Sequence, residues 1–515
     1  MAPPSPAYRT NGPVDSRVIQ PSTPPLVSIV TPVYDPPLGA FLACVQSVRA
    51  QRYGNWELLL VDDCSTRPEV VSALAEAEAS DPRIKVIRRA VNGGIVAASN
   101  DALAAASGDY VALLDHDDAI VPDGLAVVMA ALTDPAGADI DYVYTDEAHT
   151  LADGRETAHF LKPDWSPERF RSSMYTCHLS VLRTSVVREI GGFRVGYDGS
   201  QDHDLILRAT EHITAAGRRV VHLPVLAYHW RNISTSVSRA VGTLSTAVQN
   251  GRRAVQDQVD RLGLDAEVVH GPVAGCYRLV RHAIERAQVT VVVATRFEGA
   301  ATRPYRSAVA ATVRALRTDR ADVQLVVAHP ASAPPELIAL LDDELPASWD
   351  RVPVAGEWSL ATALDRALLL HPADVLVSVA PGMVPRADLT PDWLGAMVGL
   401  ATSPGAGLVG ALIADRDDVV HHAGWDVPNY RWYELEGLPV GQTTSGNDLL
   451  IERECTHVSL AAAAVRAETW REARHLAAGR WHEAGRHLSQ ALLDRGCRTL
   501  WTPWARFDEQ VAIDL

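Results

Sequence analysis

The chain has 515 residues, of which 47% are hydrophobic and 21% charged, and its formal net charge is -16 at pH 7. That length exceeds one ordinary hydrophobic core, so two domains of a soluble globular protein are expected. Lysine and arginine are scattered rather than clustered, which argues against nucleic acid as a partner. No run approaches about 18 consecutive apolar residues and no signal-peptide pattern opens the chain, so neither a transmembrane helix nor secretion is predicted. The six cysteines form no C-x-x-C pair, which favours a reducing cytoplasm.

The first part of the chain alternates predicted strands with predicted helices. Residues 1–25 contain seven prolines and no hydrophobic periodicity, so they predict a disordered or extended leader. Strands are then expected at 26–31, 56–61, 84–88 and 110–114, and helices at 38–51, 69–79 and 94–106. This alternation predicts an α/β fold with a doubly wound, mostly parallel sheet.

Polar residues follow three of these strands, at 31–35, 62–65 and 115–118. Ligands of doubly wound sheets bind beyond the carboxyl ends of the strands. The three polar clusters are therefore expected to converge on one crevice.

The second half of the chain matches the first at an almost constant offset. It opens with a predicted strand at 289–294, and the best pairings are Val27 with Val291, Asp62 with Ala328, and Asp115 with Ala380. The match indicates a duplicated domain, with chance similarity between β-rich runs as the alternative. A helix is expected at 244–262, between the halves.

Asp115-His116-Asp117 ends a buried strand with two carboxylates two residues apart. Mg²⁺ and Mn²⁺ prefer oxygen ligands and often take only one or two carboxylates from the protein. The pattern therefore predicts a site for a divalent cation, and a solvated acidic turn is the alternative. Asp118 is expected only to cap the next segment.

Four further residues carry candidate chemistry. Asp62 and Asp63 end a buried strand, where a carboxylate accepts hydrogen bonds from a nucleobase or a ribose, or else caps a helix or turn. Asp202 stands at a predicted helix start, as a general base or as a cap. His229 is a competent Mn²⁺ ligand when neutral, although a lone histidine is more often structural.

Seven short motifs occur in order along residues 26–240. They are Val27-Ser-Ile-Val-Thr-Pro-Val-Tyr-Asp, Val61-Asp-Asp-Cys-Ser-Thr, Leu114-Asp-His-Asp-Asp, Phe160-Leu-Lys-Pro-Asp-Trp-Ser-Pro, Gly191-Gly-Phe-Arg, Gly199-Ser-Gln-Asp-His-Asp and Tyr228-His-Trp-Arg. Each is weak alone, but the ordered set resembles the signatures of family 2 glycosyltransferases with the GT-A fold. By this resemblance, residues 26–240 are expected to be a catalytic GT-A domain.

The resemblance implies an inverting glycosyltransferase with a nucleoside-diphosphate sugar donor (UDP, dTDP or GDP) and Mn²⁺ or Mg²⁺ as cofactor. It also implies a glycan or lipid-linked acceptor and a setting in bacterial surface-glycan assembly. The roles that it gives to residues are Pro32 and Tyr34 in the nucleoside pocket, Asp63 at the base with Asp62 beside it, Asp115 at the donor and the metal, Asp117 as the more direct metal ligand, His229 as a third metal ligand, Asp202 as the catalytic base, and Trp165, His178 and Arg231 around the sugar or diphosphate. Association with the inner face of the plasma membrane and homo-oligomerisation through the second domain stay open.

The second half matches the first in its strand pattern, but it lacks the carboxylates that follow the strands of the first half. Ala328 and His329 stand opposite Asp62-Asp63, and Ala380-Pro381-Gly382 stands opposite Asp115-His116-Asp117. The remaining comparisons place Asp508 opposite His229 and find no counterpart of Asp202 in 481–487.

Three segments of this half, Pro391-Asp-Trp-Leu, His421-His-Ala-Gly and Trp501-Thr-Pro-Trp, are similar to the second domain of tandem family 2 enzymes. Residues 288–515 are therefore predicted to form a degenerate, non-catalytic GT-A-like α/β domain, joined to the first by a linker at 241–287. The alternative is a metal cluster of His421, His422, His482 and His487, which has no fixed ligand spacing.

Two other functions fit parts of the sequence. A nucleotidyltransferase that makes nucleotide sugars has a similar sheet, but it is expected to carry a Gly-rich loop with a lysine after the first strand. Residues 33–39 contain no lysine. A non-catalytic glycan-binding or scaffolding protein is the third hypothesis, and metal-dependent nucleotide binding separates it from an enzyme.

Overall fold

The computed structural model describes residues 24–151, 155–231, 246–296, 303–316, 320–346, 348–425, 435–444 and 446–510. The chain divides into two compact units. The first contains Met1–Asp164 and Thr176–Arg239, and the second contains Trp165–Tyr175 and Ala240–Leu515. Nearly all of the predicted leader, and residues 232–240 at the end of the predicted catalytic domain, lie outside the described residues.

The first unit is built on a mixed sheet that has nine strands among the described residues. They are β1 (Val27–Val33), β2 (Trp56–Asp62), β3 (Ile84–Arg88), β4 (Tyr110–Leu113), β5 (Ala119–Ile120), β6 (Ile140–Thr150), β7 (Glu156–Phe160), β8 (Ser180–Arg183) and β9 (Arg219–Arg231). The order is β3-β2-β1-β4-β8-β6-β9-β5, with β7 on β6. The first four strands are parallel, as expected, whereas β8 runs antiparallel to both of its neighbours.

Helices connect these strands. They are α1 (Leu38–Arg49), α2 (Pro68–Ser80), α3 (Gly94–Ala105), α4 (Gly124–Thr133), α6 (Thr184–Glu189) and α7 (Gln201–Ala215), while α5 (Pro167–Ser172) belongs to the second unit. A 3₁₀ turn covers Pro135–Gly137. The seven strands and helices predicted up to residue 114 are all present, with ends that differ by at most two residues.

Hydrophobic periodicity explains this agreement. Phe41, Val45 and Val48 recur at helical spacing in α1 and are buried against the sheet, where Ile29 and Leu58 belong to the same core. Central strands such as β2 are buried along their whole length, as parallel strands covered on both faces must be.

Glu57 joins four segments at the amino ends of the parallel strands. Its buried carboxylate accepts hydrogen bonds from Ser28 Oγ on β1, from the backbone N–H and Oγ of Ser107, and from Lys85 Nζ on β3 at 2.6 to 2.7 Å. Burial disfavours ionisation, but these donors outweigh it and lower the pKa of Glu57 to about 2. The ionised carboxylate therefore fixes the strands at the end opposite the polar loops.

The second unit begins with a helix and a hairpin, followed by a sheet that has ten strands among the described residues. The elements before this sheet are α8 (Thr246–Arg261), β10 (Ala266–His270) and β11 (Tyr277–Arg281). The strands of the sheet are β12 (Val289–Ala294), β13 (Val323–Pro330), β14 (Trp349–Val354), β15 (Val375–Val379), β16 (Met383–Pro385), β17 (Ala406–Ala414), β18 (Val420–His422), β19 (Arg453–Cys455), β20 (Ala462–Arg466) and β21 (Arg498–Glu509).

Its helices cover the sheet as in the first unit. They are α9 (Arg303–Ala315), α10 (Pro335–Glu344), α11 (Leu360–Leu370), α12 (Trp393–Ala401), α13 (Ala467–Ala473) and α14 (Trp481–Leu493), with 3₁₀ turns at Ala283–Glu285 and Arg474–Leu476. Residues 246–281 of the predicted linker are part of this unit, because the apolar face of α8 around Val255 and Val259 is buried. No helix of the described residues combines the length and apolar character needed to cross a membrane.

The two large sheets have the same topology. The second follows the order β14-β13-β12-β15-β20-β17-β21-β16, whose eight strands repeat the order of the first. Strand β18 pairs with β17 as β7 pairs with β6, and β19, which pairs with β21, is additional. This confirms the expected pair of α/β, GT-A-like sheet domains. When the two sheets are aligned with Tyr110 on Val375, as the sequence comparison predicted, the hydrogen-bonded register gives two different counterparts. Val27 corresponds to Val289 rather than Val291, and Asp62 corresponds to His329 rather than Ala328.

Replacing Glu57 should unfold the protein more easily, because Ser28 and Ser107 lose their shared buried acceptor. Glu57→Ala is expected to lower the free energy of unfolding by about 2–3 kcal/mol in a urea titration. Glu69→Ala is the control, since its ion pair with Arg67 is well exposed and contributes less than about 1 kcal/mol. Equal losses in the two variants would contradict this role of Glu57.

Candidate functional site

The loop between β4 and β5 is held by the end of β9. The backbone N–H of Asp115 donates to the Tyr228 hydroxyl at 3.3 Å, and that hydroxyl donates to Oδ2 of Asp118 at 2.8 Å. The backbone N–H of Arg231 donates to the other oxygen of Asp118 at 2.7 Å. Asp118 is only 1% exposed, so its carboxylate fixes the loop from inside.

Asp115, Asp118 and His178 form one group of metal-ligand type. One ligand atom from each lies within 4.8 Å of the other two. Nε2 of His178 is 3.5 Å from Oδ2 of Asp115, across the neighbouring strands β4 and β8. Two carboxylates and an imidazole are a donor set that fits a divalent ion such as Mn²⁺.

A buried ion pair lies behind His178. Lys162 Nζ is 3.0 Å from Oε2 of Glu147 on β6, and neither side chain has exposed surface. The same ammonium group donates to the backbone oxygens of Thr176, at 2.7 Å, and of His178. Nδ1 of His178 is 3.7 Å from Glu147, and its ring stacks on Tyr228 with centroids 4.6 Å apart. These contacts fix both the backbone and the ring of His178.

The group has an excess of negative charge. Burial, together with the charges of Asp115 and Asp117, raises the pKa of Asp118 to about 8. Burial also raises the pKa of Asp117. For Asp115, the opposing effect of His178 outweighs burial and lowers the pKa. Burial would lower the pKa of His178, but the hydrogen bonds that its ring donates to Asp115 and Glu147 raise it well above its usual value. A cation is therefore electrostatically favoured at this position.

Two of the three predicted metal ligands are not in this group. Asp117 lies in the same loop, but its carboxylate does not belong to the three mutually close ligands. Nε2 of His229 is 3.4 Å from Glu156, although the backbone of His229 pairs with Ala119 directly after the loop. The Asp-x-Asp pattern and the family resemblance favoured Asp117, whereas the loop turns Asp118 inward.

The predicted nucleoside-pocket residues surround the carboxyl ends of β1 and β2. Asp62 accepts a hydrogen bond from Ser65 N–H at 2.9 Å, which is a turn contact. Tyr34 is 48% exposed, and the carbonyl oxygen of Pro32 is 3.0 Å from Nδ1 of His116.

Asp63 has the role of a helix cap. Its two oxygens accept from the N–H groups of Gly93 and Gly94 at 2.8 Å, at the start of α3, and Arg89 lies 3.1 Å away. Its carboxylate is therefore fully engaged within the fold, as the alternative interpretation expected.

Asp202 is the second residue of α7. Its carboxylate accepts from the N–H of His203 at 2.8 Å and is partly exposed. Its charge adds to the effect of burial that raises the pKa of Cys177 to about 12, so Asp202 lies near the residue that precedes His178. Asp204, in contrast, is buried and pairs with Arg208 at 2.8 Å, which is a structural role.

The side chains of two other predicted residues, Trp165 and Arg231, make their contacts elsewhere. Trp165 belongs to the second unit and packs against Phe170, with ring centroids 5.2 Å apart. The guanidinium of Arg231 donates to the backbone oxygen of Ala40 at 3.1 Å.

Sequence reasoning missed Glu147, Lys162, Asp118 and Tyr228 as parts of the site. A signal existed for the first two. Glu147 is a charged residue within the β-rich run of β6, and Lys162 lies inside the Phe160-Leu-Lys-Pro motif. A buried charge needs a partner, so the pair was predictable in kind though not in geometry.

The second unit has no counterpart of these groups. By register, Ile413 stands where the first unit has Glu147, and Ala461 stands where it has His178. Ala380, Pro381 and Gly382 connect β15 to β16 in place of 115–118. Register also places Asp508 at the position of His229, as the sequence comparison predicted.

The four histidines of the alternative metal cluster do not converge. His422 and His482 lie close, with ring centroids 5.7 Å apart, but His421 contacts Glu509 and His487 contacts a backbone oxygen. Among the residues that the structure describes, Asp115, Asp118 and His178 form the one group of three metal-ligand side chains.

Comparisons with known proteins agree with one another. The family model described as Glycosyl transferase family 2 matches residues 28–191. The O-antigen biosynthesis protein RfbC of Myxococcus xanthus is 35% identical over 412 residues, which cover 78% of this chain and 30% of the relative. The putative glycosyltransferase EpsE of Bacillus subtilis is 35% identical over 226 residues, covering 43% of this chain and 78% of the relative.

A solved structure, Staphylococcus aureus TarS 1–349 in complex with UDP-GlcNAc, matches at 19% identity with a TM-score of 0.36. The match covers 45% of this chain and 66% of that chain. The chain spans less than half the length of the curated relatives that match most of it.

Acid should weaken the second unit through His422 and His482. Burial lowers the pKa of His482 from 6.5 to about 4, and burial together with the charge of His482 lowers the pKa of His422 well below 6.5. Between about pH 6.5 and 4 the unfolded chain binds protons that the folded chain does not, so stability falls as pH falls through this window.

The melting temperature is therefore expected to drop by several degrees between pH 7 and pH 5, measured by scanning fluorimetry. His482→Phe should reduce this drop, whereas His487→Phe, at an exposed histidine, should not. The same pH dependence in all three proteins would contradict the assignment.

Proposed function

The chain belongs to glycosyltransferase family 2, and on this premise we propose that its first unit is the catalytic domain of an inverting, divalent-metal-dependent glycosyltransferase. The reaction transfers a sugar from a nucleoside diphosphate (UDP, dTDP or GDP) to a hydroxyl group of a glycan or lipid-linked acceptor. The observation that carries this proposal is the convergence of Asp115, Asp118 and His178 after β4.

Asp115, Asp118 and His178 would hold the cation, and Asp117 and His229 stay proposed as further ligands. When bound, the cation stabilises negative charge on the departing nucleoside diphosphate. An imidazole in the donor set favours Mn²⁺ over Mg²⁺, which takes oxygen ligands.

Asp202 is proposed as the general base. The acceptor hydroxyl is a weak nucleophile near neutral pH, so a carboxylate must take its proton as it attacks. A single displacement of this kind inverts the anomeric carbon, and no covalent intermediate is needed. The partial exposure of Asp202 at the first turn of α7 supports the role, because the acceptor must reach it.

The nucleoside is proposed to lie beside the carboxyl ends of β1 and β2. The exposed ring of Tyr34 and the ring of Pro32 supply apolar surface for the base. Asp62 and Asp63 are proposed to support this pocket from within, because their carboxylates hold the backbone of the loops around it. Arg231 and His178 stay proposed for the diphosphate.

Surface-polysaccharide assembly in the cytoplasm, at the inner face of the plasma membrane when the acceptor is lipid-linked, is the proposed setting. The relative named for O-antigen biosynthesis supports it, because its match is long enough to include both halves of this chain. The second unit is proposed to be non-catalytic, since Ile413 and Ala461 stand there at the positions of Glu147 and His178.

Binding of nucleotides should depend on metal. In a thermal-shift panel of UDP, dTDP and GDP, one nucleotide is expected to raise the melting temperature with Mn²⁺ and not with chelator. Asp115→Asn should abolish this dependence. Asp123→Asn, an exposed carboxylate paired with Arg52, is the control and should behave as wild type. No metal-dependent shift in the wild-type protein would refute the proposed function.

Asp202→Asn should retain metal-dependent donor binding and lose sugar transfer by roughly 10²–10⁴-fold. The substitution removes the group that accepts the proton, but it leaves the proposed metal and donor ligands in place. Transfer is measured with the nucleotide sugar identified by the panel. The control is Glu189→Gln, at an exposed carboxylate that pairs with His212. Wild-type turnover in Asp202→Asn would exclude this residue as the base.

A further inference from the structure

The chain leaves the first unit once before the unit is complete. It passes into the second unit after Asp164 and returns at Thr176, so that Trp165–Tyr175 belongs to the second unit. Both ends of this excursion carry parts of the candidate site. Lys162 precedes it, and His178 follows it.

Lys162 joins the two ends. Its ammonium group binds Glu147 at 3.0 Å on its own side, and it binds the backbone oxygens of Thr176 and His178 on the other. Because Lys162 and Glu147 are completely buried, water cannot replace a lost contact. A displacement of either end therefore displaces the backbone of His178.

The middle of the excursion is anchored by buried charges of the second unit. The carboxylate of Glu168 lies 2.8 Å from Arg281, 3.1 Å from Arg498 and 2.9 Å from Arg171. Arg281 also binds Glu452 at 2.6 Å. The side chains of Glu168, Arg281 and Glu452 are nearly unexposed.

Further contacts fix the same segment. Arg169 is buried and binds Asp448 at 2.6 Å, and the N–H of Ser166 donates to the Tyr175 hydroxyl at 2.8 Å. The segment is thus held at several points along its length and not at one.

Networks of this kind are selective in geometry rather than strongly stabilising. A buried ion pair often adds little stability compared with apolar side chains of the same size, but it tolerates few arrangements. The second unit therefore holds the excursion in one conformation. This gives a role to a unit that lacks the metal-ligand side chains of the first.

We infer that Glu168, Arg281 and Arg498 are positioning residues: by holding Trp165–Tyr175, they fix the ends at Lys162 and His178, and with them the metal-ligand geometry of the first unit. The inference rests on the proposed function for its readout in metal affinity. It makes the second unit a requirement for the site although no residue of that unit is a ligand.

The test uses the full-length chain with Glu168→Gln, which removes the charge and keeps the shape. Well below the melting temperature, the Mn²⁺ concentration that half-saturates nucleotide binding is expected to rise about 10-fold or more, as for residues that orient metal ligands. Asp508→Asn is the matched control. It breaks another buried ion pair of the second unit, with Arg506 at 3.0 Å, and should lower the melting temperature without changing this concentration.

A wild-type Mn²⁺ requirement in Glu168→Gln, or an equal rise in Asp508→Asn, would overturn the inference. Should Glu168→Gln not fold, Arg498→Gln replaces it, since its partly exposed side chain is less critical to the core.

Hydrogen–deuterium exchange separates failure of the inference from failure of the proposed function. Faster exchange of the peptide that contains 176–180 in the variant supports the inference even where no nucleotide binds to the wild type. Unchanged exchange of that peptide overturns it.

Discussion

The buried ion pair between Lys162 and Glu147 is the contact on which the candidate site depends. An ammonium and a carboxylate without exposed surface must satisfy each other and use their remaining hydrogen-bonding capacity inside the protein. Lys162 does so through two backbone oxygens, which sets the path of the chain into β8, and Glu147 faces the imidazole of His178. The ring of His178 is thereby presented to Asp115, while Tyr228 holds the loop from the other side. A candidate metal ligand is thus positioned by a buried ion pair.

Sequence reasoning succeeded where local pattern decides the structure. The strands and helices up to β4 follow from hydrophobic periodicity, and the position of Asp115 follows from the end of a buried strand. It failed where partners come from distant strands. The inward position of Asp118 depends on Tyr228 and Arg231, more than 100 residues later, and no spacing within the loop encodes that contact. The parallel sheet was foreseen, but the antiparallel insertion of β8, which delivers His178, was not.

Duplication clarifies which residues the fold needs and which the chemistry needs. Two sheets with one strand order preserve the same apolar core, so the architecture does not require Glu147, His178 or the acidic loop. Ile413, Ala461 and Ala380-Pro381-Gly382 occupy these positions in the second sheet, which keeps the same strand order. Membership of glycosyltransferase family 2 argues against the nucleotidyltransferase alternative.

The passage of Trp165–Tyr175 through the second unit also constrains how the protein is made and how its gene can change. Arg281 and Arg498 are synthesised long after Glu168, so during translation Arg171 is the first of the three arginines that can pair with this carboxylate, and Arg498 is the last. A fragment that ends before Arg281 lacks two of these three partners. Recombination that exchanges the second half must preserve a complementary set of arginines, which ties the inheritance of the two halves together.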